Sequence, residues 1–253
     1  MSVVEARTLA AKDGAVTTVT LAAPESANAL DAALVEELHE AVDAAVLDGT
    51  RVLVIEAEGR AFCAGLGLAG LEEETDASML LRLVRIELLL EKLWYGPLIS
   101  VAVVRGAAAG AGADLAVATT VRYATAAASL RFPGSEFGAV LGVRRLAECA
   151  GSAFAVEAAA SGRKIGAEEA ARRGLWTLLG GDDADSPAVA DLARALARRS
   201  PGTVAAIQQE AAAFRSGPDP MGALVRSLAG HPGLAERIRE MNDRRLRARD
   251  TTE

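Results

Sequence analysis

The chain is short of the residues from which most polar active sites are built. Its 253 residues include two histidines, two cysteines and three lysines, and aromatic side chains make up only 4%. His39 and His231 share no local constellation with Ser, Asp or Cys, so spacing offers neither a Ser–His–Asp triad nor a histidine metal site. Cys63 and Cys149 stand far apart without metal spacing or a partner motif. That pattern excludes a disulfide framework and makes a reducing compartment, the cytoplasm, the expected location. A net charge of −7, with no basic concentration ahead of the Arg237–Arg249 stretch, argues against a nucleic-acid partner. No apolar run reaches the roughly 18 residues that span a bilayer, and no basic region with an apolar run opens the chain, so neither a membrane nor a leader is expected.

What the chain has in quantity is small and apolar. Hydrophobic residues make up 51% and there are 24 glycines, enough material for one large domain, with or without a small appendage. Val16–Leu21 alternates Val and Thr as a strand does, and Asn28 or Asp31 can cap a helix whose Leu30, Leu34, Leu38, Val42 and Val46 share a face. Val52–Ala57 reads as a short buried strand, Asp76–Trp94 as a helix, and Leu98–Val104 as a second buried strand. Alternation of strand and helix implies parallel strands joined by right-handed crossovers, with ligands at their carboxyl ends. Beyond Arg144 the chain becomes mainly helical, broken at Gly174, Gly180, Gly181, Pro187, Pro201 and Pro218. Cys63 is expected to fill a small buried space and Trp94, Tyr95 and Trp176 to lie in a core or interface. His39 and His231, Glu72–Asp76 and the Arg237–Arg249 run are expected at the surface.

Two stretches carry chemistry. Ala61–Leu66 and Gly106–Leu115 each look like a buried strand breaking into a Gly-rich turn. Small residues allow two peptide N–H groups to converge on one oxygen, which is what an oxyanion hole requires. The apolar Leu115–Val117 segment can belong to a helix whose dipole adds partial positive charge there. Gly65, Gly67 and Gly70 also form a GxGxxG, but no clear strand-terminal acid follows about twenty residues later, so a dinucleotide fold is not supported.

Four segments, in order, carry a resemblance: Pro24–Leu30 with its Asn-Ala-Leu, Ala61–Gly65, Gly106–Leu115, and Ser161–Ala170 followed by Gly174 and Leu175. Through them nearly the whole chain resembles the enoyl-CoA hydratase/isomerase (crotonase) superfamily. The resemblance implies an α/β spiral of ββα units over about residues 1–190 and a helical trimerisation region over 191–253. It also implies a homotrimer or dimer of trimers and an acyl-CoA thioester substrate, with no metal and no cofactor beyond the coenzyme A of that substrate. Carried over by position, the oxyanion hole falls on the amides of Leu66 and Ala111, and substrate contacts on Ala64, Gly65, Leu66, Gly67, Leu68, Ala69, Gly110 and Ala111. Leu66 and Gly67 depart from the residues the family usually has there, Ala, Gly or Ser and then Asp.

Hydratases of the family pair two glutamates. The first position is Asp114, shorter by one methylene. The second falls on Gly134 without a gap, or on Glu136 after a two-residue shift that aligns Phe132. If Ser135 is extended, Gly134 and Glu136 point to one face. Asp114 and Glu136 are therefore the candidate acids, and three activities stay open: hydration of a 2,3-enoyl thioester with both acids, double-bond isomerisation with one, or acyl-CoA binding with neither.

Overall fold

The computed structural model describes residues 4–8, 15–180, 187–213 and 220–250. Val-, Ile- and Ala-rich segments build a six-stranded sheet in the order β1 (Val4–Thr8), β2 (Val16–Leu21), β3 (Val52–Ala57), β5 (Ile99–Val104), β7 (Val121–Ala124) and β10 (Leu178–Leu179). Only β1 and β2 run antiparallel; every other neighbour pair is parallel, as alternating strands and helices require. A smaller sheet follows the order β4 (Ala61–Cys63), β6 (Ala107–Ala109), β8 (Ser129–Arg131) and β9 (Ile165–Gly166). Its first two strands lead directly into the two Gly-rich turns.

Side chains alternate across the large sheet. Leu53 and Ile55 join the main core with α1 (Ala32–Leu47), α2 (Asp76–Tyr95) and α3 (Ala111–Ala118), while Val52, Val54, Val101 and Val103 face the other way and meet Leu196. Leu196 belongs to α7 (Pro187–Ala197), so a boundary at residue 190 would cut a helix that covers the sheet. Between them lie α4 (Val143–Ala150), α5 (Ser152–Ser161) and α6 (Ala167–Arg172). After α7 come α8 (Pro201–Ala213), α9 (Pro220–Ala229) and α10 (Leu234–Asp250). Leu224, Leu228, Leu234 and Ile238 of α9 and α10 bury against Met79 and Leu83 of α2 in the same chain. The breaks expected at Gly181 and Pro218 lie outside the described residues. No helix among the described residues is long and apolar enough to cross a membrane.

Helix starts follow from side-chain chemistry. Asp31, not Asn28, caps α1 by accepting the Leu34 amide at 2.8 Å. Thr75 and Ser78 form a capping box at the start of α2, and Asp76 accepts the Gly233 and Ala235 amides at 2.9 and 2.8 Å, which ties α10 to α2. The expected surface position of His39 is not found. The ring is 3% exposed beneath α2, its Nε2 2.9 Å from the Arg85 carbonyl oxygen, and burial lowers its pKa. α1 is covered by α2 on a side that the Leu stripe alone did not reveal, because two helices share this face of the sheet.

Asn28 has another task. Fully buried, with φ at 55°, it accepts the Ala23 amide at 2.9 Å and donates from Nδ2 to the Glu58 and Ala61 carbonyls at 2.9 and 3.1 Å. The Ala64 amide then bonds the Ala27 carbonyl. One side chain thus fixes the turn between β3 and β4 and the entry to the first Gly-rich turn. Replacing Asn28 by Ala removes the partner of three backbone groups, the buried Ala23 amide among them, and is expected to destabilise the fold by about 2–4 kcal/mol, measured by urea unfolding.

Candidate functional site

The two Gly-rich turns meet at backbone distance. Gly65, at φ +88°, leaves no room for a side chain, since a Cβ there would stand 2.4 Å from the Ala109 oxygen and 3.1 Å from the Ala111 nitrogen. Gly112 is packed as tightly against the Cys63 carbonyl. Leu30 bridges this segment in parallel, donating to the Gly65 oxygen at 2.7 Å and accepting the Gly67 amide at 3.0 Å. The Leu66 peptide between those two bonds is therefore turned the other way, its amide free for the cavity. Ala111 is the first residue of α3 and has no carbonyl four residues back to bond. Its helix dipole places partial positive charge at the same point.

Both residues line a cavity of about 310 Å³. Six of the expected positions reach it: Ala64, Leu66, Leu68, Gly110, Ala111 and Asp114. Gly65, Gly67 and Ala69 do not line it. Gly65 lies under the wall, and Gly67 is packed against the Asp31 backbone, where a Cβ would come within 3.1 Å. The opposite wall comes from Phe132–Ser135 and from Val156, Ala159 and Ala160 of α5, and Met241 and Arg245 of α10 also contribute. Sequence reasoning missed α5 and α10. The i, i+3, i+4 spacing of Val156, Ala159 and Ala160 marks one helix face, yet nothing local says that the face meets a cavity rather than a core.

Asp114 is the sole carboxylate on this wall among the described residues. It is 6% exposed and α3 holds it against the start of α4, where a Cβ on Gly142 would lie 1.8 Å from Oδ1. Glycine at position 142 is what gives the carboxylate its space. Burial raises the Asp114 pKa to about 7; the Arg145 charge opposes that rise and the Glu87 charge adds to it.

Glu136 is not brought to Asp114. Pro133–Phe137 forms a 3-10 turn rather than an extended segment, and at three residues per turn positions two apart diverge in direction. Gly134 accordingly lines the cavity while Glu136 turns away to Arg131, at 2.9 Å, and to Arg245, at 3.4 Å. The Arg237–Arg249 run is likewise not a merely solvated face. Arg237 donates to the Phe137 carbonyl at 3.0 Å, Arg239 to the Leu71 and Glu74 carbonyls at 3.2 and 2.5 Å, and Arg245 reaches the cavity. With Arg82, which donates to the Gly67 carbonyl at 2.5 Å and to Glu74 at 2.8 Å, they secure the loop that carries Leu66 and Leu68. Cys63 fills the space under the turn as expected, its thiol fully buried and its pKa pushed up to about 12. Among the described residues no group of three His, Cys, Asp or Glu side chains comes together as a metal site.

The α/β architecture with its largely parallel sheet agrees with the comparisons. The family model for enoyl-CoA hydratase/isomerase matches residues 11–220. A Rhodobacter capsulatus protein named probable enoyl-CoA hydratase is 37% identical over 228 residues, 88% of each chain. A Streptococcus mutans trans-2-decenoyl-[acyl-carrier-protein] isomerase is 32% identical over 173 residues, covering 64% of this chain and 65% of its own. A crystal structure from Bordetella parapertussis, assigned to the same hydratase/isomerase class, superposes with a TM-score of 0.83 at 37% identity, covering 90% of this chain and 94% of that one. The chain belongs to the enoyl-CoA hydratase/isomerase family.

Because Asp114 holds its proton to about pH 7 in the fold and to about 4 when unfolded, its burial favours the folded state at low pH. That contribution is complete below pH 4 and is lost as pH rises through 7. Asp114→Asn, which cannot ionise, is therefore expected to gain stability relative to the parent between pH 5 and pH 8, by about 3 kcal/mol. Thermal unfolding at the two pH values measures it.

Proposed function

We propose that this protein is an acyl-CoA enzyme that moves a double bond along the acyl chain, with Asp114 as the one acid/base. The thioester carbonyl is seated between the Leu66 and Ala111 amides, which act as the oxyanion hole. Asp114 takes the proton from the carbon next to the carbonyl of a 3-enoyl thioester. The electron pair delocalises onto the thioester oxygen as a dienolate, held by the two amides and the start of α3. Asp114 then returns the proton to the γ-carbon, leaving the conjugated 2-enoyl thioester. No net electrons are exchanged, and in this reading no cofactor takes part beyond the coenzyme A of the substrate.

The observation that carries the reading is the single carboxylate that the described residues place on this apolar wall, with its pKa near 7. A base so placed is ionised in useful amount at neutral pH and is still able to return the proton. Hydration remains the second reading, favoured by the name of the Rhodobacter relative. It needs a second acid at the thioester, for which Glu136 would have to leave Arg131 and Arg245. In the same proposal the chain works in the cytoplasm, Cys63 and Cys149 forming no disulfide. It assembles as a trimer or dimer of trimers, for which the exposed Leu81, Leu88 and Tyr95, spaced at heptads along α2, offer an apolar stripe.

The two reactions have opposite optical signatures. A 3-enoyl-CoA should gain the absorbance of the conjugated thioester, whereas hydration of a 2-enoyl-CoA would remove it. Turnover is expected to rise with pH through a limb near 7. Asp114→Asn should lower kcat by about 10² or more while leaving thioester binding in place, and Glu136→Gln should leave kcat unchanged. Hydration that depends on both acids would replace this reading with the second one, and thioester binding without any turnover would make the protein a binding member.

A further inference from the structure

The strongest unexplained feature lies behind the cavity wall. Glu87 of α2 is 0% exposed and Arg145, in the first turn of α4, is 2% exposed. Arg145 donates from both terminal nitrogens, Nη1 to Glu87 Oε2 at 3.1 Å and Nη2 to Oε1 at 2.5 Å. Its Nε is buried with no hydrogen-bond partner. Neither side chain lines the cavity, and a buried ion pair is a poor source of stability, since desolvation consumes most of its Coulombic gain. Its position is distinctive. Arg145 follows Gly142, the residue in contact with Asp114 Oδ1, by three places, and α3 is packed against both α2 and α4.

We propose that the Arg145–Glu87 pair is the positioning element of the reaction centre: it holds matched opposite charges behind Asp114 and thereby decides at which pH that carboxylate takes up a proton. The inference rests on the acid/base reading of Asp114. Of the elements packed on α3, α2 contributes Glu87 and α4 contributes Arg145. β4 contributes the Cys63 thiol, which stays neutral, and β6 has no titratable side chain. Arg145 alone would favour the ionised carboxylate so strongly that it would become a weak base. Glu87 alone would hold it protonated. Paired at bidentate geometry, the two leave a residual field in which the Arg145 charge outweighs that of Glu87, offsetting part of the effect of burial.

The test reads Asp114 directly, by carboxyl ¹³C NMR titration of the full-length protein, with the resonance assigned through Asp114→Asn. Glu87→Gln leaves the cation unmatched, and the Asp114 titration should move to lower pH by about one unit. Arg145→Met should move it upward. Each single variant leaves an unmatched group in the interior and is at risk of failing to fold. The double variant Glu87→Leu with Arg145→Met removes both charges of the pair together, and for it an upward shift is expected with butyryl-CoA binding preserved. The kcat–pH limb should move in the same direction as the titration. A folded double variant that binds butyryl-CoA as the parent does, yet titrates at the parental pH, overturns the proposal and leaves the pair a structural role only. The proposal and the reading beneath it fail separately. Full turnover in Asp114→Asn defeats the acid/base assignment while the titration shifts stand, and unmoved titrations defeat the positioning pair even where Asp114→Asn is inactive.

Discussion

Everything at this site depends on two backbone turns approaching closer than side chains permit. Gly65 against Ala109 and Ala111, Gly112 against Cys63, and Gly106 against Arg60 are three crossings where a Cβ would fall 2.1–2.4 Å from a carbonyl oxygen. Each closes only with glycine. Together they lock β4 to β6 and to the start of α3, and so fix the Leu66 and Ala111 amides relative to one another. The surrounding structure serves this contact. Asn28 holds the entry to the first turn, Leu30 orients the Leu66 peptide, and arginines from α2 and α10 fasten the loop beyond.

The acid is placed by a different principle. Asp114 sits one turn into α3, where the helix that offers an amide at its first residue also aims a side chain at the cavity. Its surroundings are apolar enough to raise its pKa, and Gly142 removes the one side chain that would displace it. The Ala111 amide and the carboxylate are thus carried by one rigid eight-residue helix, so the separation of these two does not depend on loop motion. The counter-charge arrives from two other helices, which allows proton affinity to be set without disturbing that geometry.

Much of this was legible in the sequence, for identifiable reasons. The strands over Val16–Leu21 and Val52–Ala57, the α2 helix and the two Gly-rich turns follow from short-range periodicity and from glycine placement, both local properties. Asp114 was reached through the family resemblance, which places the first acid position two residues after Gly112. The direction of Glu136 was not legible, because it depends on whether Pro133–Phe137 is extended or wound, and one residue's difference in period reverses the side chain. His39 and the α10 arginines were misjudged for a related reason: their burial and contacts come from α2 and from loops far away in sequence, which no local pattern encodes. The Arg145–Glu87 pair joins residues 58 apart and belongs to the same class.

The division of the cavity into two unlike walls bears on how such a protein can diversify. The wall at Gly110 and Ala111 is made of main chain and is backed by Gly65 and Gly112, where a Cβ would stand 2.4 and 2.3 Å from a carbonyl oxygen. The facing wall, with Val156, Ala159 and Ala160 on α5, is made of side chains pointing into open volume. Enlarging or shrinking those three positions reshapes the cavity without touching the Leu66 and Ala111 amides. The shape of the cavity can therefore change on one helix face while the glycine crossings keep their geometry.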